Sequence, residues 1–122
     1  MKIYVCKKCG QMVDVIKPAC DSLTCCDQLM EELVPASVDA AREKHVPLVN
    51  QEGNKVEVRV GEVDHPMTEP HLIEWIAIET NQGMTRKKLT ASDQPKAEFL
   101  LAEGEELVAS YAYCNLHGLW RK

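Results

Sequence analysis

The chain has 122 residues, 45% of them hydrophobic and 27% charged, which excludes a disordered or collagen-like chain and leaves room for one medium domain with a small appendage. Its 14 basic and 19 acidic side chains give a net charge of −5, the wrong sign for holding phosphate backbones by bulk charge, so no nucleic-acid partner is expected. No apolar run approaches the roughly 18 residues of a membrane span, and the stretch before Cys6 lacks an export-signal pattern, so a soluble, cytoplasmic protein without membrane contact is expected.

From Met1 to about residue 36 the sequence alternates cysteine knuckles with one short strand-like stretch, Gln11–Ile16, and holds too few apolar residues for a core of its own. Cys6-Lys7-Lys8-Cys9-Gly10 has the spacing that lets two thiolates chelate one ion, and Gly10 can take the positive φ of a tight turn. Cys25 and Cys26 are neighbours, with Cα atoms about 3.8 Å apart where disulfides usually need about 4.4 Å or more, so they do not readily bridge to each other. As two further thiolates they complete a tetrahedral set of four, which zinc and iron both accept. Cys20, five residues before Cys25, is left as an unligated thiol.

A second region follows, over residues 37–122. Ser37 can cap a short helical stretch running to Lys44, and Pro47 ends any helix before it. Lys55–Val60 alternates with its valines on one face, as a half-buried strand does. His71–Ile78 is apolar on both faces apart from His71 and Glu74, which suits a central strand; Asn81-Gln82-Gly83 is a turn. Met84–Leu89, Ala97–Leu101 and Leu107–Cys114 continue the strand pattern, with Gly104 in a turn. Several short strands separated by turn residues predict a β-sandwich of the immunoglobulin-like kind.

All four histidines lie in this second region, as does the sixth cysteine. His65 and His71 flank a Pro-containing loop, His45 stands near Pro47, and Cys114 and His117 are three residues apart, a common reach for two ligands of one metal. Four imidazoles and one thiolate exceed a zinc site that closes at four ligands, and carry too many nitrogens for blue copper; iron suits them best, with a sixth position left open. Ferrous iron plus one thiolate is net positive, so the site favours a small anion, and Lys44 beside His45 adds a local positive field. After one-electron oxidation the neighbouring carboxylate Glu43 could occupy the open position; read in isolation, Glu43 and Lys44 also suit a solvated charged pair.

Glu43-Lys44-His45-Val46-Pro47, His65-Pro66-Met67, His71-x-Ile73-x-Trp75 and Cys114-Asn115-Leu116-His117-Gly118-x-Trp120 occur together and in order. With Cys6-x-x-Cys9 and Cys25-Cys26 in front, the chain resembles the desulfoferrodoxins, the two-iron superoxide reductases, over nearly its whole length. The resemblance implies an all-β chain: a small rubredoxin-like four-cysteine iron domain over 1–36, then an immunoglobulin-like catalytic sandwich over 37–122. It implies one iron in Cys6, Cys9, Cys25 and Cys26, and a catalytic iron with His45, His65, His71 and His117 as equatorial ligands and Cys114 as the axial one. It further implies one-electron reduction of superoxide to hydrogen peroxide, with Lys44 attracting the anion and ordering the proton-delivering water, Glu43 capping the oxidised metal, rubredoxin as donor, and a homodimer. Cys20 departs from the family pattern. Two other functions are compatible with the residues alone: an electron-transfer or iron-binding protein without turnover, and a dismutase.

Overall fold

The computed structural model describes residues 1–38 and 45–122, and these fall into two compact units, Met1–Val34 and Pro35–Lys122. The described residues contain strands and turns but no helix. Of the expected helical stretch from Ser37 to Lys44, residues 39–44 lie outside the described residues.

The first unit holds β1 (Ile3–Val5), β2 (Met12–Asp14), β3 (Thr24–Cys25), β4 (Gln28–Leu29) and β5 (Glu31–Glu32). β1 is the middle strand of one sheet, antiparallel to β2 on one side and β5 on the other, while β3 and β4 form a separate hairpin. Its buried cluster is Tyr4, Cys6 and Met30, with Val13, Val15, Leu23 and Cys25 packed around them. A core that small is below what an autonomous domain needs, and domains of this size are usually held by a metal or disulfides.

The second unit holds β6 (Pro47–Glu52), β7 (Lys55–Val60), β8 (Ile73–Thr80), β9 (Gly83–Lys88), β10 (Lys96–Leu100), β11 (Leu107–Cys114) and β12 (Gly118–Arg121). One sheet runs β10-β7-β6 and the other β12-β11-β8-β9, each antiparallel throughout. Val56, Val58 and Val60 project from β7 into the space between the sheets and are fully buried, where they meet Ile73, Ile76, Ile78 and Phe99. This is the immunoglobulin-like sandwich the alternation predicts. The outward face of β8 is closed by long side chains: Trp75 stacks on Tyr113 at 5.6 Å, and the Arg86 guanidinium lies over the Trp75 ring. Residues 35 and 36 sit with this unit because the Ala36 N–H donates to Leu119 O at 2.9 Å and Ala36 O accepts from the Arg121 N–H at 2.8 Å.

Register decides which loops meet. Pro47 at the start of β6 pairs with Val60 at the end of β7, and Ile73 at the start of β8 pairs with Cys114 at the end of β11. The residues just before β6, between β7 and β8, and just after β11 therefore emerge at one end of the sandwich. His45, His65, His71 and His117 are on these segments.

Candidate metal centres

In the first unit the sulfurs of Cys6, Cys9, Cys25 and Cys26 all lie within 4.8 Å of one another. The Cys6–Gly10 knuckle is closed by the Gly10 N–H donating to Cys6 O at 2.8 Å, and Gly10 takes φ +78°. The second pair poses a steric problem, since successive side chains of a strand point to opposite faces. The hairpin solves it with a two-residue turn in which both central residues, Cys26 and Asp27, have positive φ, 52° and 59°. That turn folds Cys26 back toward Cys25, with their sulfurs 3.8 Å apart, and the Cys9 and Cys25 sulfurs are 3.7 Å apart. Four thiolates bound at about 2.3 Å around a tetrahedral ion stand about 3.8 Å from each other.

Charge in this cluster is unevenly held. The backbone N–H of Cys9 is the chief influence lowering the Cys6 thiol to about 6, whereas Cys25 is pushed up to about 12, first by its hydrogen bond to Cys9 and then by that to Cys6. A cation among the four sulfurs replaces the shared protons, and the donor set fits a soft-ligand metal. Cys20 is exposed with its sulfur 3.3 Å from Ser22 O, and is not among the four.

In the second unit the donor atoms of His45, His65, His71, Cys114 and His117 also lie within 4.8 Å of one another. His45 Nε2 and His117 Nδ1 are 3.0 Å apart, the separation of two nitrogens bound at about 2.1 Å and at right angles, and Cys114 Sγ is 3.5 Å from His117 Nδ1. His65 Nδ1 faces Pro66 O at 2.8 Å; a carbonyl only accepts, so Nδ1 carries the proton and Nε2 keeps its lone pair for the cluster. The His71 Nε2 is buried with no hydrogen-bond partner among the described residues, as expected of an atom whose partner is a metal. His45, His65 and Cys114 are buried while His117 and Leu116 are exposed, so the cluster lies at the surface with one side toward solvent. Five donors of this chemistry, four imidazole and one thiolate, fit an iron ion.

Trp120, known from the sequence only as part of a motif, stacks on His45 at 4.7 Å with 16° between the planes. The β11–β12 hairpin places it there, since Cys114 pairs with Gly118 and Ala112 with Trp120. Glu43 and Lys44 lie outside the described residues.

Comparison with known proteins agrees with both clusters. The family model described as Desulfoferrodoxin matches residues 37–122. A desulfoferrodoxin homolog of Archaeoglobus fulgidus is 45% identical over 121 residues, covering 99% of this chain and 95% of that one. A superoxide reductase of Pyrococcus abyssi is 38% identical over 101 residues, covering 69% of this chain and 88% of that one. The crystal structure of the superoxide reductase from Treponema pallidum matches with a TM-score of 0.86 at 31% identity, over 99% of this chain and 96% of that chain.

Proposed function

Because the chain belongs to the desulfoferrodoxin family, we propose that it is a superoxide reductase carrying two irons, one in each cysteine- or histidine-rich cluster. The observation that carries the reading is the convergence of four imidazoles and one thiolate at a solvent-facing end of the sandwich. Ferrous iron there supplies the single electron that, with two protons, turns superoxide into hydrogen peroxide.

The residues have distinct tasks in this reading. His45, His65, His71 and His117 hold the metal by neutral nitrogens, and Cys114 supplies the one anionic donor. A ferrous ion held by these five donors would keep a net positive charge, which favours a small anion. Lys44, next to His45, draws superoxide in and orders the water that delivers protons; its ammonium has no lone pair, so it does not ligate. Glu43 is the carboxylate that would cover the metal after oxidation. Both roles rest on sequence adjacency and family resemblance. The thiolates of Cys6, Cys9, Cys25 and Cys26 would hold the other iron, and four such ligands suit electron transfer.

The same reading takes residues 1–36 and 37–122 as the two iron domains, rubredoxin as the electron donor, and a homodimer as the assembly. A cytoplasmic setting belongs to the same reading.

Product stoichiometry on anaerobically reduced protein, with a donor present, tests the reading. One peroxide per superoxide and no dioxygen is the expected result. Half as much peroxide with dioxygen released would make it a dismutase, and no consumption of superoxide would leave an electron-transfer or iron-binding protein.

A further inference from the structure

We infer that Asn115 is a positioning residue for the sandwich iron site, setting His71 against the Cys114–His117 turn. The inference rests on the ligand assignment proposed above. His71 belongs to a short turn closed on itself: the Thr68 N–H donates to His71 O and the His71 N–H to Thr68 O, both at 3.0 Å, and the Thr68 hydroxyl donates to His71 O at 3.2 Å. Those bonds shape the turn but do not fix where it sits relative to Cys114. Asn115 does so. Its Oδ1 accepts from the Leu72 N–H at 3.0 Å and its Nδ2 donates to Pro70 O at 3.1 Å, so one side-chain amide grips the backbone on both sides of His71. The Asn115 N–H donates to Leu72 O at 3.2 Å, a bond any residue at this position can make.

The choice of asparagine follows from the geometry. The amide must accept from an N–H and donate to a carbonyl at the same time, and among short side chains only asparagine offers both groups on one planar fork. Asn115 is covalently next to Cys114 and two residues from His117, so any shift of the His71 turn is referred to the other two donors through this side chain. The His71 imidazole and the Cys114 thiol are thereby held in one frame. Removing partners that orient metal ligands typically weakens a metal site by 10–100-fold.

Asn115→Ala and Asn115→Asp, each in the full iron-loaded chain, test this. Aspartate keeps the acceptor for Leu72 and loses the donor to Pro70, so it separates the two halves of the grip. Three quantities are read: the rate at which a ferrous chelator strips the sandwich iron, the position and intensity of the thiolate-to-iron absorption of the oxidised site, and the melting of the metal-free protein. Asn115→Ala is expected to release ferrous iron at least ~10-fold faster than wild type and to shift the absorption, and Asn115→Asp, whose second carboxylate oxygen would face Pro70 O, to release it at least as fast. The absorption of the four-cysteine iron serves as an internal standard and stays unchanged.

Wild-type release rates and an unshifted absorption band in Asn115→Ala would overturn the proposal. So would faster release matched by an equal loss of stability in the metal-free protein, since that marks a general structural role. If Asn115→Ala does not fold, Asn115→Asp decides alone by the same readouts. A wild-type protein that holds iron but does not consume superoxide would refute the reductase reading and leave the iron-release comparison intact.

Discussion

His71→Phe should stabilise the metal-free sandwich and destabilise the loaded one. The buried Nε2 of His71 has no hydrogen-bond partner among the described residues, and an unsatisfied buried polar atom costs about 1–3 kcal/mol. Phenylalanine removes that atom yet keeps a ring for the edge-on contacts with His65 and His117, whose centroids are 4.7 and 5.1 Å away. At the low end of the range the metal-free gain is about 1 kcal/mol, worth roughly 5 °C in a unit of this size. With metal the sign reverses. A ligand bound only by the folded state stabilises by RT ln(1 + [L]/Kd), so a site weakened about 100-fold by loss of one donor forfeits about 2.7 kcal/mol at saturating metal, more than the gain. Both tryptophans, Trp75 and Trp120, lie in the sandwich, so tryptophan fluorescence follows its melting without interference from the first unit. The comparison needs four anaerobic melts at pH 8, wild type and variant, stripped and reloaded with ferrous iron. If stripped His71→Phe melts below stripped wild type, the nitrogen is not an unsatisfied atom and the reasoning fails.

Metal analysis should give two irons per chain; one iron and one zinc would refute iron in the four-cysteine site while leaving the sandwich site intact. Cys114→Ser should abolish turnover and the thiolate-to-iron colour of the sandwich while the four-cysteine absorption survives, and retained activity would exclude Cys114 as a ligand. Lys44→Ala should leave iron content unchanged and slow the second-order reaction with superoxide, with a weaker salt dependence than wild type, since screening at ~0.1 M already acts over ~10 Å; equal rates at low salt would reduce Lys44 to a solvated charge. The Glu105 carboxyl is held below its ordinary range, first by the Thr80 hydroxyl donating to Oε1 at 2.7 Å and then by the Ala102 N–H donating to Oε2 at 2.8 Å. A lowered folded-state pKa stabilises above the ordinary carboxylate pKa of about 4.3 and stops doing so as pH falls through the lower value. Glu105→Gln should therefore melt below wild type at pH 7, with the gap closing under about pH 4; a gap constant with pH would refute the charged role.

Much of this architecture was legible where burial wrote a period into the sequence. β7 was found residue for residue because Val56, Val58 and Val60 all face the core, and β11 likewise from Leu107 to Cys114. β6 was not found, because after Pro47 every residue through Glu52 is exposed and the strand exists through its pairing with β7. β1 and β12 are too short for alternation to register. The grouping of cysteines and histidines into two donor sets was legible from spacing and chemistry, since these residue types are few and donor sets are restrictive. The positive-φ turn at Cys26 and Asp27 was not, because neither residue type announces that conformation. The grip of Asn115 depends on partners more than 40 positions away along the chain, which no local pattern carries.

The two metal sites differ in how much chain they enclose, and this sets the order in which a newly made molecule can acquire them. Cys6 and Cys26 bracket a loop of about 20 residues, so local chain alone can bring the four thiolates together. His45 and His117 are 72 positions apart, and their meeting requires β6, β7, β8 and β11 to be in register first. Long-range strand pairing is the slow part of folding an all-β chain, because loop closure precedes the contacts that reward it. The four-cysteine site is thus a nucleus that metal can organise early, whereas the sandwich receives its iron as a finished receptacle. Iron limitation during synthesis would then leave molecules with a well-folded sandwich awaiting its ion, ready to be activated without refolding.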